Sequence, residues 1–218
     1  MNVFGYIKIT LVKKSLITAE KDVAKGNFHL AISKYETVLK RLNLPHGLRA
    51  VALIGRAICS TERGDIQQAL LDYGEVITMT EATAEQKASA LFNRALCFEN
   101  QNRVDDSIDD YTKIIDDMSS PLPQKSSSLF NRANYFMGRG KVKEAIGDLT
   151  QIIDMIGVQD SLKAMSLFNR ALCWAKMQEF GNSIDDYTHI IEMQGAPPDQ
   201  RQKALANREY YMKERHLF

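Results

Sequence analysis

A five-residue box, Leu-Phe-Asn-Arg-Ala, recurs along the chain at a constant spacing of thirty-eight positions. Complete copies begin at Leu91, Leu129 and Leu167. An altered copy occupies residues 53–57, and a shorter one occupies residues 206–208. A fixed period of about 20–50 residues is the signature of a repeat array in which neighbouring units stack side by side. The spacing therefore predicts a solenoid.

Each period is predicted to contain two helices, because apolar residues recur at helical spacing on both sides of a turn residue. Glycine or asparagine marks that turn at Gly26, Gly64, Asn102 and Gly140. These are the residue types that most easily adopt the left-handed conformation at a helix end. A single solenoid is expected over residues 11–218, with residues 1–10 as a frayed lead-in. Its predicted repeats are 11–45, 46–82, 83–121, 122–159 and 160–196, followed by a capping helix at 197–218.

Composition limits the partners that such a chain would bind. The net charge is +1 at pH 7, which argues against a nucleic-acid surface, where a concentrated basic excess is expected. No apolar run approaches the length that a transmembrane helix needs, so no membrane partner is expected. The three cysteines are an odd number, which does not suit a disulfide framework. We expect a cytoplasmic location.

The pattern resembles the tetratricopeptide repeat, a helix–turn–helix unit of about 34 residues. The third repeat carries the family's spaced small and large positions at Leu91, Ala95, Phe98, Asn102, Ser107 and Tyr111. The resemblance implies an all-α, right-handed helical solenoid of about five helix pairs plus a C-terminal capping helix. It covers nearly the whole chain, although the unit here is longer and an arginine replaces the usual apolar residue before the small alanine.

A second periodic feature joins an arginine to an aspartate sixteen positions later. Both partners are absent from the first repeat, which has Thr18 and Lys34 at those positions. Joint presence and absence indicates ion pairs between facing helices, although Asp186 could instead meet Arg208 of the next unit. We interpret these pairs as structural elements that hold the register of the helices. They are Arg56–Asp72, Arg94–Asp110, Arg132–Asp148 and Arg170–Asp186.

No group of residues indicates catalysis or metal binding. Cys59, Cys97 and Cys173 occupy one repeat position, so they would be spread along the array, whereas metal ligands must converge. The histidines share no repeat position, and the chain has no glycine-rich phosphate loop. We therefore expect no metal, no cofactor and no enzymatic activity.

The box itself supplies the candidate binding residues. In the tetratricopeptide family its asparagine position faces the concave groove, where the amide binds the backbone of an extended peptide. An amide suits this role because it offers both a donor and an acceptor to a peptide unit. The alternative is that the asparagines only cap or bridge helices and the phenylalanines pack between repeats. The predicted peptide-binding residues are Asn93, Asn131, Asn169, Asn207, Phe92, Phe130 and Phe168.

The sequence is thus interpreted as a non-catalytic protein-interaction module that binds an extended peptide or partner segment in its groove. Two alternatives stay open. The chain could be a structural or regulatory subunit fixed in a larger complex, or an accessory that recruits substrate for a separate enzyme. The expected partner is another protein or a peptide in each case.

Overall fold

A computed structural model describes the backbone of residues 3–214 and the side chains of residues 9–214, and all structural statements below refer to these ranges. Eleven α-helices lie within the described backbone, and no strand does, so the predicted all-α class is confirmed. The helices are α1 Val3–Ala24, α2 Phe28–Leu39, α3 His46–Glu62, α4 Ile66–Thr78, α5 Ala84–Asn100, α6 Val104–Asp116, α7 Leu122–Gly138, α8 Val142–Asp154, α9 Asp160–Lys176, α10 Phe180–Glu192 and α11 Pro198–Glu214.

The helices alternate between two kinds that we call first helices (odd numbers) and second helices (even numbers). From α3 onward every first helix has 17 residues and every second helix has 13. A three-residue turn joins the two helices of a pair. The middle residue of that turn always has a positive φ, namely 74° at Gly26, 80° at Gly64, 58° at Asn102, 73° at Gly140 and 62° at Gln178.

The first helix is longer than the sequence predicts. Instead of a frayed lead-in over residues 1–10, α1 already begins at Val3, and only residues 1 and 2 of that segment lie outside the described backbone. The physical reason is that residues 3–10 contain no proline and a single glycine, Gly5, so nothing interrupts the helix that Val12 and Leu16 anchor in the core.

The chain divides into two compact units, Met1–Pro121 and Leu122–Phe218. We call them the N-terminal and the C-terminal unit. The N-terminal unit contains three helix pairs, α1–α2, α3–α4 and α5–α6. Its core is centred on one tyrosine from each second helix, and Tyr35, Tyr73 and Tyr111 are all buried.

The C-terminal unit contains the pairs α7–α8 and α9–α10, followed by α11, which packs on α9 and α10. The rings of Tyr211 on α11 and Tyr187 on α10 stack with centroids 6.1 Å apart. At one position α11 differs from the other first helices, because exposed Glu209 replaces a small buried alanine. The equivalent alanines are completely buried at positions Ala19, Ala57, Ala95, Ala133 and Ala171.

Arginine–aspartate pairs link the two helices of a repeat. In each of four repeats the arginine Nε and Nη2 donate to the two carboxylate oxygens of the aspartate sixteen positions later, over 2.6–2.9 Å. Asp186 therefore pairs with Arg170 of its own repeat rather than with Arg208. The four pairs are Arg56–Asp72, Arg94–Asp110, Arg132–Asp148 and Arg170–Asp186.

Gln178 is the one turn residue of the five that is neither glycine nor asparagine, and it provides a test of the turn geometry. A left-handed conformation costs an ordinary L-residue about 1–2 kcal/mol. A glycine at the same position costs roughly 0.5–1 kcal/mol, because it loses more conformational entropy on folding. We therefore expect Gln178→Gly to raise the free energy of unfolding by roughly 0.5–1 kcal/mol in urea titrations. Asn102→Gly is the control and should have almost no effect, because asparagine tolerates this conformation. A destabilised Gln178→Gly protein would contradict the assigned turn.

Candidate functional site

The first helices of the C-terminal unit carry two of the predicted phenylalanines. Phe130 on α7 and Phe168 on α9 are both only partly exposed. The Phe168 ring packs edge-on against Tyr187 of the second helix, with centroids 5.4 Å apart. Phe168 therefore contributes to the packing of its own repeat. Both rings also border an open surface.

These two rings line an open pocket of about 380 Å³ on the face formed by α7, α9 and α11. Three of the seven predicted binding residues thus meet in one place. The lining residues are Phe130, Asn134, Met165, Phe168, Asn169, Gln200 and Lys203.

A hydrogen bond between two amides crosses this pocket. Asn169 Nδ2 donates to Asn134 Oδ1 over 2.9 Å, and this bond joins α9 to α7. Sequence reasoning did not select Asn134, which stands one helical turn after Asn131. The signal was present in the repeat register, because the equivalent positions of the second, third and fifth repeats are apolar, namely Ile58, Leu96 and Leu172.

Gln200 places a buried acceptor at the edge of the pocket. Its Oε1 has no hydrogen-bond partner among the described residues. The repeat register explains why. At the equivalent position of α5, Gln86 Oε1 accepts from the backbone N–H of Thr83 in a capping box. The residue three positions before Gln200 is Pro197, which has no N–H to donate.

The charge at the pocket comes from Lys203. Its Nζ lies 3.5 Å from a carboxylate oxygen of Asp199, one turn earlier on α11, and both side chains are about two-thirds exposed. Such an exposed pair is weak in water. Lys203 therefore remains available to a negatively charged group without making the pocket strongly basic.

The other two predicted binding asparagines of this unit lie outside the pocket lining. Asn207 Nδ2 donates to the hydroxyl of Tyr187 over 3.2 Å. Burial raises the pKa of Tyr187 to about 12, against the opposing effect of the hydrogen bond from Asn207. The phenol is therefore neutral at physiological pH. Asn131 is half-buried at the equivalent position of α7.

In the N-terminal unit the same box positions serve internal contacts. Asn93 Nδ2 donates over 2.8 Å to the backbone carbonyl of Ser89 in its own helix. The Phe92 ring packs on Tyr111 with centroids 5.7 Å apart. These contacts are of the kind expected if the box had only a structural role.

The cysteines lie where the repeat register places them. Cys59, Cys97 and Cys173 are buried free thiols, and burial raises the pKa of each thiol. Their reactivity is low for this reason. Among the described residues, no group of three or more histidine, cysteine, aspartate or glutamate side chains could hold a metal ion. Within the same residues, no helix is long and apolar enough to cross a membrane.

Comparison with known proteins gives the same repeat. A family model described as tetratricopeptide repeat matches residues 62–121, from the end of α3 to the residue before α7. A search of curated proteins finds no match. Residues 62–121 therefore match the tetratricopeptide repeat, and the thirty-eight-residue period continues on both sides of them.

Solved tetratricopeptide-repeat structures share the fold. A thermophilic repeat protein of Thermus thermophilus is 14% identical with a TM-score of 0.51, over 89% of this chain and 97% of that one. A tetratricopeptide repeat protein of Parabacteroides merdae is 14% identical with a TM-score of 0.55, over 92% of this chain and 88% of that one. At such low identity, the likeness concerns the fold alone.

The second repeat departs from the box at its asparagine. Gly55 occupies the position that Asn93 occupies in the next repeat, and a Cβ added at Gly55 would lie 2.4 Å from Cζ of the Tyr35 ring. The glycine is therefore required by the tyrosine that packs on it. Sequence reasoning treated this glycine only as an altered letter of the box.

Replacing Gly55 tests that contact. Gly55→Ala should lower the free energy of unfolding by about 1–3 kcal/mol, because the added methyl group would overlap the Tyr35 ring and force it out of its packed position. The control is Gly74→Ala in the interior of α4, where the nearest atom to the added Cβ is 3.9 Å away. There the better helix propensity of alanine should raise stability by up to about 1 kcal/mol. Equal effects in urea titrations of the two variants would contradict the packing of Tyr35 on Gly55.

Proposed function

We propose that the chain is a non-catalytic protein-interaction module whose C-terminal unit binds an extended peptide segment across α7, α9 and α11. The observation that carries the proposal is the pocket in which Phe130, Phe168 and Asn169 meet. The tetratricopeptide-repeat fold supports a role in protein interaction in general.

The walls of the pocket favour an apolar side chain of the ligand. Phe130, Met165 and Phe168 come from two neighbouring first helices and provide aromatic and thioether surface. Burying one large apolar side chain contributes about 1.5–3 kcal/mol. Methionine adapts its shape to different partners, so several apolar side chains would be accepted.

The polar groups favour the backbone of a peptide. Asn169 uses one N–H in its bond to Asn134, and an amide has a second N–H and a carbonyl oxygen to offer. Gln200 Oε1 is an acceptor without a partner in the described protein. A peptide unit could donate its N–H to such an acceptor and accept from an amide N–H. These hydrogen bonds would offset the free-energy cost of desolvating the polar groups.

The lysine sets a weak charge preference. Lys203 would interact favourably with an acidic side chain or a terminal carboxylate of the ligand. Because this lysine is largely exposed, the contribution would be small and would decrease with salt. Most of the affinity should come from apolar burial and amide hydrogen bonds.

The test compares two amide-deleted variants of the full chain. Dodecapeptides are selected from a random display library on the wild-type protein and then titrated by calorimetry. Asn134→Ala/Asn169→Ala should weaken their binding about fivefold or more, since two lost hydrogen bonds of roughly 0.5–1.5 kcal/mol each sum to about 1–3 kcal/mol. The matched control is Asn93→Ala, which removes the equivalent asparagine from the N-terminal unit and should leave affinity unchanged.

Thermal unfolding by circular dichroism serves as the folding control for all variants. If the selected peptides bound wild type and Asn134→Ala/Asn169→Ala with equal affinity, the proposed pocket would be excluded. If Asn93→Ala weakened binding instead, the binding face would lie in the N-terminal unit.

A further inference from the structure

The N-terminal unit has a pocket of its own between α1, α2 and α3, with a volume of about 270 Å³. Its walls are aliphatic, formed by Val23 of α1 and by Val51, Ile54 and Ile58 of α3. The Tyr35 ring also lines it. None of the residues predicted from the sequence to bind a peptide lies in it.

The repeat register explains why a pocket opens here. In the third, fourth and fifth repeats an asparagine follows the box phenylalanine. In the second repeat this side chain is missing, because Gly55 makes room for the Tyr35 ring. The neighbouring positions are apolar as well, with Val51 in place of Ser89 and Ser127, and Ile58 in place of Asn134. The result is an apolar depression where the C-terminal unit presents amides.

A carboxylate stands at the mouth of this depression. Glu20 of α1 is exposed and belongs to the pocket lining. Burial and, to a smaller extent, the nearby negative charge of Glu20 raise the pKa of Tyr35 to about 12. A second exposed carboxylate, Glu62, lies one turn beyond Ile58 on α3. The nearest lysine in the same row of α1, Lys13, precedes Glu20 by roughly 10 Å along the helix axis and is not part of the lining.

We propose that this pocket binds a protein segment in which one large apolar side chain is flanked by lysine or arginine. The apolar side chain enters the pocket against Val51, Ile54 and Ile58, and the flanking cation lies over Glu20. The charge complementarity at the pocket mouth selects a basic segment over an acidic one. This site does not depend on the pocket proposed for the C-terminal unit, since it uses different residues in a different unit.

The test uses short capped peptides and the full chain labelled at its valine, leucine and isoleucine methyl groups. The probe is acetyl-Lys-Leu-Lys-amide, and the two comparison peptides are acetyl-Lys-Ser-Lys-amide and acetyl-Glu-Leu-Glu-amide. Methyl chemical shifts of Val51, Ile54 and Ile58 are followed during each titration. The leucine probe should bind about tenfold or more tightly than the serine peptide. It should bind about two- to fivefold more tightly than the acidic peptide at low salt, and this second preference should decrease at high salt.

Variants separate the two parts of the pocket. Glu20→Gln should remove the preference for the basic over the acidic peptide while keeping the preference for leucine over serine. Ile58→Gln should weaken the leucine probe, whereas Leu96→Gln, at the equivalent position of the third repeat, should not. The proposal is overturned if wild-type methyl groups of the pocket do not shift, or if they respond equally to the leucine and serine probes. That wild-type comparison decides the matter even if Ile58→Gln fails to fold.

Discussion

The bidentate arginine–aspartate pair is the interaction on which the regular geometry of the repeats depends. The aspartate side chains are 1–8% exposed and the arginine side chains 14–20%, so each pair is largely removed from water. A buried carboxylate without its arginine would be strongly destabilising, and this penalises any other arrangement of the two helices. Arg170 also donates to Thr150 of the preceding second helix over 2.9 Å, which links one repeat to the next. The hydrogen bond to Asp72 raises the pKa of Arg56, so this guanidinium stays charged.

The five side chains of the box lie on different sides of the first helix. Its leucine and alanine are buried, and its arginine reaches the second helix of the same pair. Its asparagine is half-buried. In the third repeat this asparagine makes a contact within its own unit, and in the C-terminal unit one of the asparagines lines a pocket together with two box phenylalanines. Substitutions at or beside the asparagine and phenylalanine positions of the box change the chemistry of the pocket surface without disturbing the core. Asn134 and Gln200 add polar groups to the pocket of the C-terminal unit, while Gly55 and Ile58 leave the walls of the N-terminal pocket aliphatic.

Much of the fold was predictable because the residues that determine it recur at a constant spacing. The constant spacing of the box, the turn residues and the fixed arginine–aspartate spacing all describe local or neighbouring contacts, which repeat architectures reuse. The beginning of α1 was not predictable in the same way, since the first ten residues have no repeat counterpart. The pocket residues were missed where they break the period. Asn134 replaces the apolar residue that the second, third and fifth repeats have, and Gly55 replaces the asparagine of the third, fourth and fifth. The orphaned Gln200 acceptor arises from a proline less than one helical turn away. Such effects depend on which side chains meet in space.

A double-mutant cycle on Arg132 and Asp148, with the exposed pair Arg103–Asp106 as the control, tests most directly whether the buried pair holds the two helices together. The side chains of the control pair are 47% and 48% exposed. The free energy of unfolding is measured for each single alanine variant and for each double variant. We expect either single substitution at the buried pair to cost about 3 kcal/mol. The double variant should cost little more, which corresponds to a coupling of about 2–3 kcal/mol. The control pair should couple by less than about 1 kcal/mol. Additive effects at Arg132 and Asp148, with a coupling no larger than that of the control, would contradict the claim that this pair holds the two helices together.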